Sequence, residues 1–205
     1  MSQKIAFFDF DGTLTLKDSL LPFLKYVRGR ERFYLDMLQV SPWLAGYVLR
    51  IVPNDIAKSK LLSRSLAGML KSELCKKGQT FCDGLSDSAL NQMMVKRLKE
   101  HQAKGHMTVL VSASLDVYLD DWAQKMGFDA CLCSRLEQDK AGYVTGRFMG
   151  ENCYGDEKVH RIERFLSDTV KPIHSYAYGD TLGDLAMLEY VHEGYWVSLK
   201  GIQPI

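Results

Sequence analysis

The sequence lacks an apolar run long enough to cross a bilayer, an excess of charge of either sign, and any paired-cysteine spacing. Its most apolar region, residues 35–52, is interrupted by Asp36, Gln39, Pro42 and Arg50. It falls short of the roughly 20 apolar residues that a spanning helix needs. The first apolar run is short and broken by Asp9 and Asp11, so no signal peptide is expected. Formal net charge is +1, the charges are mixed along the chain and no polybasic arm is present, which argues against a nucleic-acid partner. The five cysteines are odd in number. Cys131 and Cys133 alternate along an expected strand and read as reduced core thiols, which fits a cytoplasmic setting. What remains is a chain of 205 residues with 46% hydrophobic content, enough for one substantial domain and a smaller insert.

The stretch from Ile5 to Thr15 organises that chain. Ile5, Ala6, Phe7 and Phe8 form an apolar run that predicts a buried strand, and Asp9 and Asp11 follow at its end. Alternation along an extended backbone points both carboxylates the same way. Held close and partly buried, two like charges need an offset, and a divalent cation supplies one. Gly12 and Thr13 suit a tight exit whose backbone N–H groups converge on an anion. Cation and anion together suggest a phosphoryl group on magnesium. The plain alternative for an isolated Asp-x-Asp is a solvated strand end before a turn.

Residues 17–91 show helical stretches without strand alternation and read as a helical insert. Leu20, Phe23, Leu24 and Val27 form a stripe that Asp18 or Ser19 is expected to cap. Interruptions are expected at Ser41-Pro42, at Val52-Pro53-Asn54-Asp55 and at Lys76-Lys77-Gly78. Inside lies Trp43 to Leu49, which reads either as the core of a small bundle or as a substrate lid or membrane-surface contact. After a helix over 90–103, a buried strand from Met107 runs into Ser112-Ala113-Ser114. A helix through Tyr118 to Met126, a strand over 130–136, a hairpin turning near Lys140-Ala141-Gly142, and a helix after Lys158 follow. A strand over 173–178 ending in Gly179-Asp180, a further helix and a last strand over 195–199 close the pattern. Strand and helix in alternation predict a Rossmann-like α/β fold, a parallel sheet with helices on both faces, with core 1–16 and 92–205 and cap 17–91. Ligands of such sheets sit beyond the carboxyl ends of the strands, where Asp9, Asp11, Ser112 and Asp180 fall.

Asp180 and Asp184 can complete an oxygen shell for a hard cation. Lys158 opens a helix, where a cation opposes the macrodipole, so anchoring a phosphate or the aspartates is the reason sought for it. Ser112 is placed either to donate to a phosphate oxygen or to bond backbone.

Together, Asp9-x-Asp11-Gly12-Thr13, Ser112, Lys158 and Gly179-Asp180 to Asp184 resemble the four ordered motifs of the haloacid dehalogenase (HAD) superfamily. The likeness spans nearly the whole chain outside the insert. The insert looks like the cap of the phosphoserine phosphatase-like branch, subfamily IB, and the run from Gly150 to Gly155 also resembles that branch. The resemblance implies a phosphatase working through an aspartyl-phosphate. Asp9 would be the nucleophile and Asp11 the general acid and base. Mg2+ would sit on Asp9, the backbone carbonyl of Asp11, Asp180 and Asp184. Gly12, Thr13, Ser112 and Lys158 would hold the phosphate, and Asp18, Ala113 and Ser114 would lie near the substrate. A raised pKa is expected for Asp11, from the neighbouring carboxylate and burial. Gly12 stands where that branch commonly has serine, and Ala113 where a glycine follows the serine. The added methyl would exclude an amino-acid backbone. Asp18 would face a substrate amine from the cap hinge, and Arg50 or Arg64 reads either as the partner of a substrate carboxylate or as a plain surface residue. The partner implied is a small-molecule phosphate ester. A lipid-phosphate phosphatase, a phosphotransferase and a non-catalytic phospho-ligand regulator are the competing readings.

Overall fold

The structure, a computed structural model, describes residues 4–168 and 172–205, so the first three residues of the expected core segment lie outside it. Strand β1 (Lys4–Phe8) is central. It pairs in parallel with β2 (Met107–Leu115) on one side and β6 (His174–Gly179) on the other. With β3 (Ala130–Ser134), β7 (Glu193–Ser198) and β8 (Gly201–Pro204) the sheet runs β3-β2-β1-β6-β7-β8, parallel except for β8. The chain leaves β1 toward β2 and later returns to its other side, so the end of β1 is the switch point where ligands of open α/β sheets bind.

Period-two alternation divides the core. Ala6, Phe8 and Phe10 join one apolar cluster, while Ile5 and Phe7 join Val109, Val111, Ile162 and Met187 on the opposite face. Helices cover both faces: α5 (Gln92–Ala103) and α6 (Asp116–Met126), then α7 (Asp156–Ser167) and α8 (Leu185–Tyr190). A separate hairpin pairs β4 (Leu136–Gln138) with β5 (Val144–Phe148), turning where expected.

Residues 17–91 carry α1 (Leu20–Arg28), α2 (Arg30–Val48), α3 (Asn54–Leu66), α4 (Lys71–Asp83) and a short 3₁₀ turn, Asp87–Ala89. The segment enters and leaves at one point, where Thr15 bridges Leu90 and the Asn91 N–H donates to the Leu14 carbonyl at 2.9 Å. Its apolar faces, through Phe23, Leu24 and Leu62, run into the same cluster as Phe8 and Phe10. Asp18 caps α1, its carboxylate accepting from the N–H groups of Leu20 and Leu21.

Two expected interruptions are absent. Pro42 sits inside α2, because the Leu38 carbonyl that its missing N–H leaves free accepts the Ser41 hydroxyl at 2.7 Å. Gly78 sits inside α4, where a Cβ would lie 2.0 Å from the Val117 carbonyl oxygen, so it marks close helix packing rather than a break. The third, at Pro53, is real: α3 begins at the next residue. The last strand was expected to end the chain's structure, yet β8 follows it. The run from Trp43 to Leu49 is not a bundle core, since Trp43, Tyr47, Val48 and Leu49 are exposed.

Candidate active site

At the end of β1 a cavity of about 280 Å³ opens between the sheet and the helical insert. Asp9, Asp11, Asp18, Ser112, Ala113, Ser114, Lys158 and Asp184 all line it. The strands deliver these groups from distant parts of the chain. Asp9 follows β1, its N–H held by the Tyr178 carbonyl at 2.9 Å. Ser112 and Ser114 sit near the end of β2, where pairing with β3 shifts register between Ser112 and Leu115. That irregularity lets both serines reach the cavity, with the Ser114 N–H donating to Ser112 Oγ at 3.1 Å.

The two aspartates of the first motif do not act side by side. Asp9 Oδ1 accepts from Lys158 Nζ at 2.6 Å. Asp11 turns the other way, accepting from the Ser19 N–H at 2.8 Å and from the Ser114 hydroxyl. β1 ends at Phe8, so alternation no longer governs them. Asp11 is pushed up to about 6, by burial first and by Asp18 second, with the Ser114 and Ser19 bonds opposing. The rise and its cause in burial were expected, and the carboxylate that adds to it is Asp18.

Lys158 lies in the first turn of α7, only 1% exposed, and reaches Asp9, the Val111 carbonyl at 3.0 Å and Asp184. An ammonium has three donors, and all are taken. It anchors carboxylates, and the phosphate contact expected of it requires one of these bonds to yield. Burial works against its charge, yet Asp9 and Asp184 outweigh that and push its pKa up. Burial in turn pushes Asp9 well above the usual carboxylate range, with Lys158 opposing.

Carboxylate oxygens of Asp9, Asp180 and Asp184 lie within 4.8 Å of one another. Asp9 and Asp184 share one ammonium, and Asp180 is pushed up to about 6 by burial and then by Asp184. An all-oxygen set short of positive charge fits a hard divalent cation such as Mg2+. The Asp11 side chain is not among the three. Asp184 is largely committed: one oxygen meets Lys158, while Oδ2 accepts from the N–H groups of Asp180 and Thr181 and from the Thr181 hydroxyl. Gly12 makes room for Asp180. Its φ is +78°, and a Cβ there would lie 2.1 Å from Asp180 Oδ2. Thr13 is fully buried and donates to Asp180 Oδ1 at 3.2 Å, so its hydroxyl serves the acid rather than a phosphate.

Neither arginine singled out in the insert lines the cavity. Arg64 pairs with buried Asp36 at 2.9 Å, beside Arg28, and Arg50 is exposed in the turn after α2. The cation that does line it is Lys58 of α3, which donates to the Ala113 carbonyl at 2.7 Å and to Asn152 Oδ1 at 3.2 Å. Burial lowers Lys58 to about 8, against the pull of Asp11 and Asp18. Its signal in the sequence is a lysine flanking the buried row Ala57, Leu61 and Leu62 of an amphipathic helix. Asn152 and Tyr154, also in the lining, fall within the motif-like run from Gly150 to Gly155.

A parallel sheet whose switch point gathers three carboxylates and a buried lysine defines an α/β protein with its polar groups at the ligand-binding edge of the sheet. The chain belongs to the haloacid dehalogenase-like hydrolases, whose family profile matches residues 6–189. It is 34% identical over 194 residues to Protein CicA of Caulobacter vibrioides, across 95% of this chain and 86% of that protein. A Bordetella pertussis Tohama I protein of unknown function superposes at TM-score 0.81 with 23% identity, covering 93% of this chain and 88% of that one. A phospho-aspartyl intermediate analogue of phosphoserine phosphatase superposes at 0.67 with 19% identity, covering 97% and 87%. The chain thus belongs to a family of hydrolases and shares the fold of the phosphoserine phosphatases.

Proposed function

We propose that this protein is a Mg2+-dependent phosphatase that hydrolyses a phosphate monoester through an aspartyl-phosphate on Asp9. The observation that carries this is the division of labour between the two first-motif aspartates. Asp9 is pinned by Lys158 beside Asp180 and Asp184, and Asp11 is turned away, its pKa pushed up to about 6 by burial.

With Oδ1 bonded to Lys158, Asp9 keeps Oδ2 to attack phosphorus, and the P–O bond to the leaving group breaks as the new one forms. A proton on Asp11 passes to the leaving oxygen; Asp11 then takes one from the water that hydrolyses the acyl phosphate, restoring both residues. The Ser114 and Ser19 bonds fix Asp11 for both transfers. Ser112, with backbone N–H groups over residues 10–12, holds the non-bridging oxygens, and Lys58 faces them from α3. Asp9, Asp180, Asp184 and the Asp11 carbonyl would hold Mg2+, which would supply charge neutralisation. In this reading residues 17–91 are a cap over a core of 1–16 and 92–205. Five free cysteines and no helix, among the described residues, long and apolar enough to cross a membrane support a cytoplasmic setting.

The test is phosphate release from a panel of serine, sugar, nucleotide and lipid monophosphates, with Mg2+ or chelator, for wild type and Asp9→Asn. Release is expected to require the metal and to fall by about 10³-fold or more in the variant. Turnover that survives Asp9→Asn would remove the nucleophile.

A further inference from the structure

Helix α2 is apolar on both sides. One side carries Phe33 and Val40 into the core. On the other, Leu35, Leu38, Pro42, Ala45 and Leu49 follow at spacings of three and four, and every one is exposed. Leu38 is 70% exposed, Leu49 68%, and beside them Val48 77% and Ile51 74%. A second apolar stripe opposite the buried one has no core to fill, and an exposed stripe this long marks a contact surface. The C-terminal end of the stripe lies beside the catalytic cavity, because Tyr47 and Asn54, which line the cavity, also line a neighbouring hollow with Ile51 in the turn after α2.

Charge selects the occupant. Residues 25–60 carry seven Lys and Arg against three Asp and Glu, in a chain whose net charge is only +1. Of those acids Asp36 is buried between Arg28 and Arg64. Lys60 lies 5.7 Å from the centre of the Trp43 ring and Lys25 5.5 Å from that of Tyr34, so cations and interfacial aromatics stand together. A second copy of this surface would oppose like charges. We infer that the exposed face of α2 docks on an anionic lipid bilayer, seating the cavity mouth over lipid-borne phosphate monoesters. The docking stands on the surface alone, and the substrate class rests on the phosphatase reading above. A cavity of about 280 Å³ then has only to admit a phosphorylated headgroup while the acyl chains stay in the membrane.

Co-sedimentation with vesicles of phosphatidylcholine and phosphatidylglycerol in equal parts tests the docking. Wild type should bind these about tenfold or more tightly than phosphatidylcholine alone. A Leu38→Asp, Leu49→Asp double variant, altered only at exposed positions, should lose binding by a similar factor with an unchanged thermal melt. Hydrolysis of p-nitrophenyl phosphate should be equal in the two proteins, and hydrolysis of phosphatidate in the anionic vesicles should drop in the variant. Wild type that stays in the supernatant overturns the proposal, as does a variant that binds as well. So does a wild-type dimer, by light scattering, that the variant dissociates, since the face would then belong to a second copy. Sedimentation needs no turnover, so a protein that binds vesicles but releases no phosphate from either substrate sinks the phosphatase reading alone.

Discussion

Gly12 and Lys158 hold the site open from opposite sides. Gly12 is the only residue type that both tolerates φ +78° and leaves Asp180 its place. Gly12→Ala should therefore cost about 1–2 kcal/mol in backbone strain. By displacing Asp180 it should also lower turnover about 10²-fold, measurable by urea unfolding and by phosphate release. Lys158 neutralises acids that burial already penalises. Lys158→Met keeps its volume but leaves Asp9 and Asp184 without a counterion, and about 3–5 kcal/mol of stability should be lost in metal-free urea titrations. A variant as stable as wild type would mean that the acids are already protonated in the folded protein.

Among the elements, α4 shows how tightly the insert is joined to the sheet layer. An alanine at Gly78 would gain about 1 kcal/mol of helix propensity if nothing stood opposite. The Val117 carbonyl does, so Gly78→Ala should instead destabilise by about 1–3 kcal/mol, and thermal unfolding will read the sign. The same glycine shows where sequence reading stops. The parallel strands and the polar residues at their ends were legible because alternation and strand-end acids are local signals. Gly78 and Pro42 read locally as breaks, and only a facing helix or a neighbouring hydroxyl reverses that. β8 was missed because four residues ending in a proline carry no periodicity. In the site, Asp9, Asp11, Ser112 and Asp180 announce themselves by position along the chain. Lys58 does not, since its meaning comes from Ala113 and Asn152 across the cavity.

On the scale of the whole molecule, acid stability has a source far from the cavity. His101 is on the buried side of α5, its Nε2 2.9 Å from the Tyr178 hydroxyl and its Nδ1 2.8 Å from that of His106. Burial, with His106 and Arg97 adding to it, lowers its pKa from 6.5 to about 4. Between those values the unfolded chain binds a proton that the folded chain refuses, so stability is full above the unfolded value and falls as pH drops toward 4. The loss should be about 1–2 kcal/mol after discounting for partial solvent access. His101→Asn should show a flatter profile than wild type in urea titrations between pH 7 and 4.

The wide separation in sequence of the groups that meet at β1 also bears on biosynthesis. Asp9 awaits a lysine 149 positions later, and Thr13 an acid 167 positions later. A ribosome paused before the final third of the message would hold a polypeptide with Asp9 made and its lysine counterion still untranslated. The site is thus completed late in translation, and a product truncated before residue 158 carries Asp9 without its ion-pair partner.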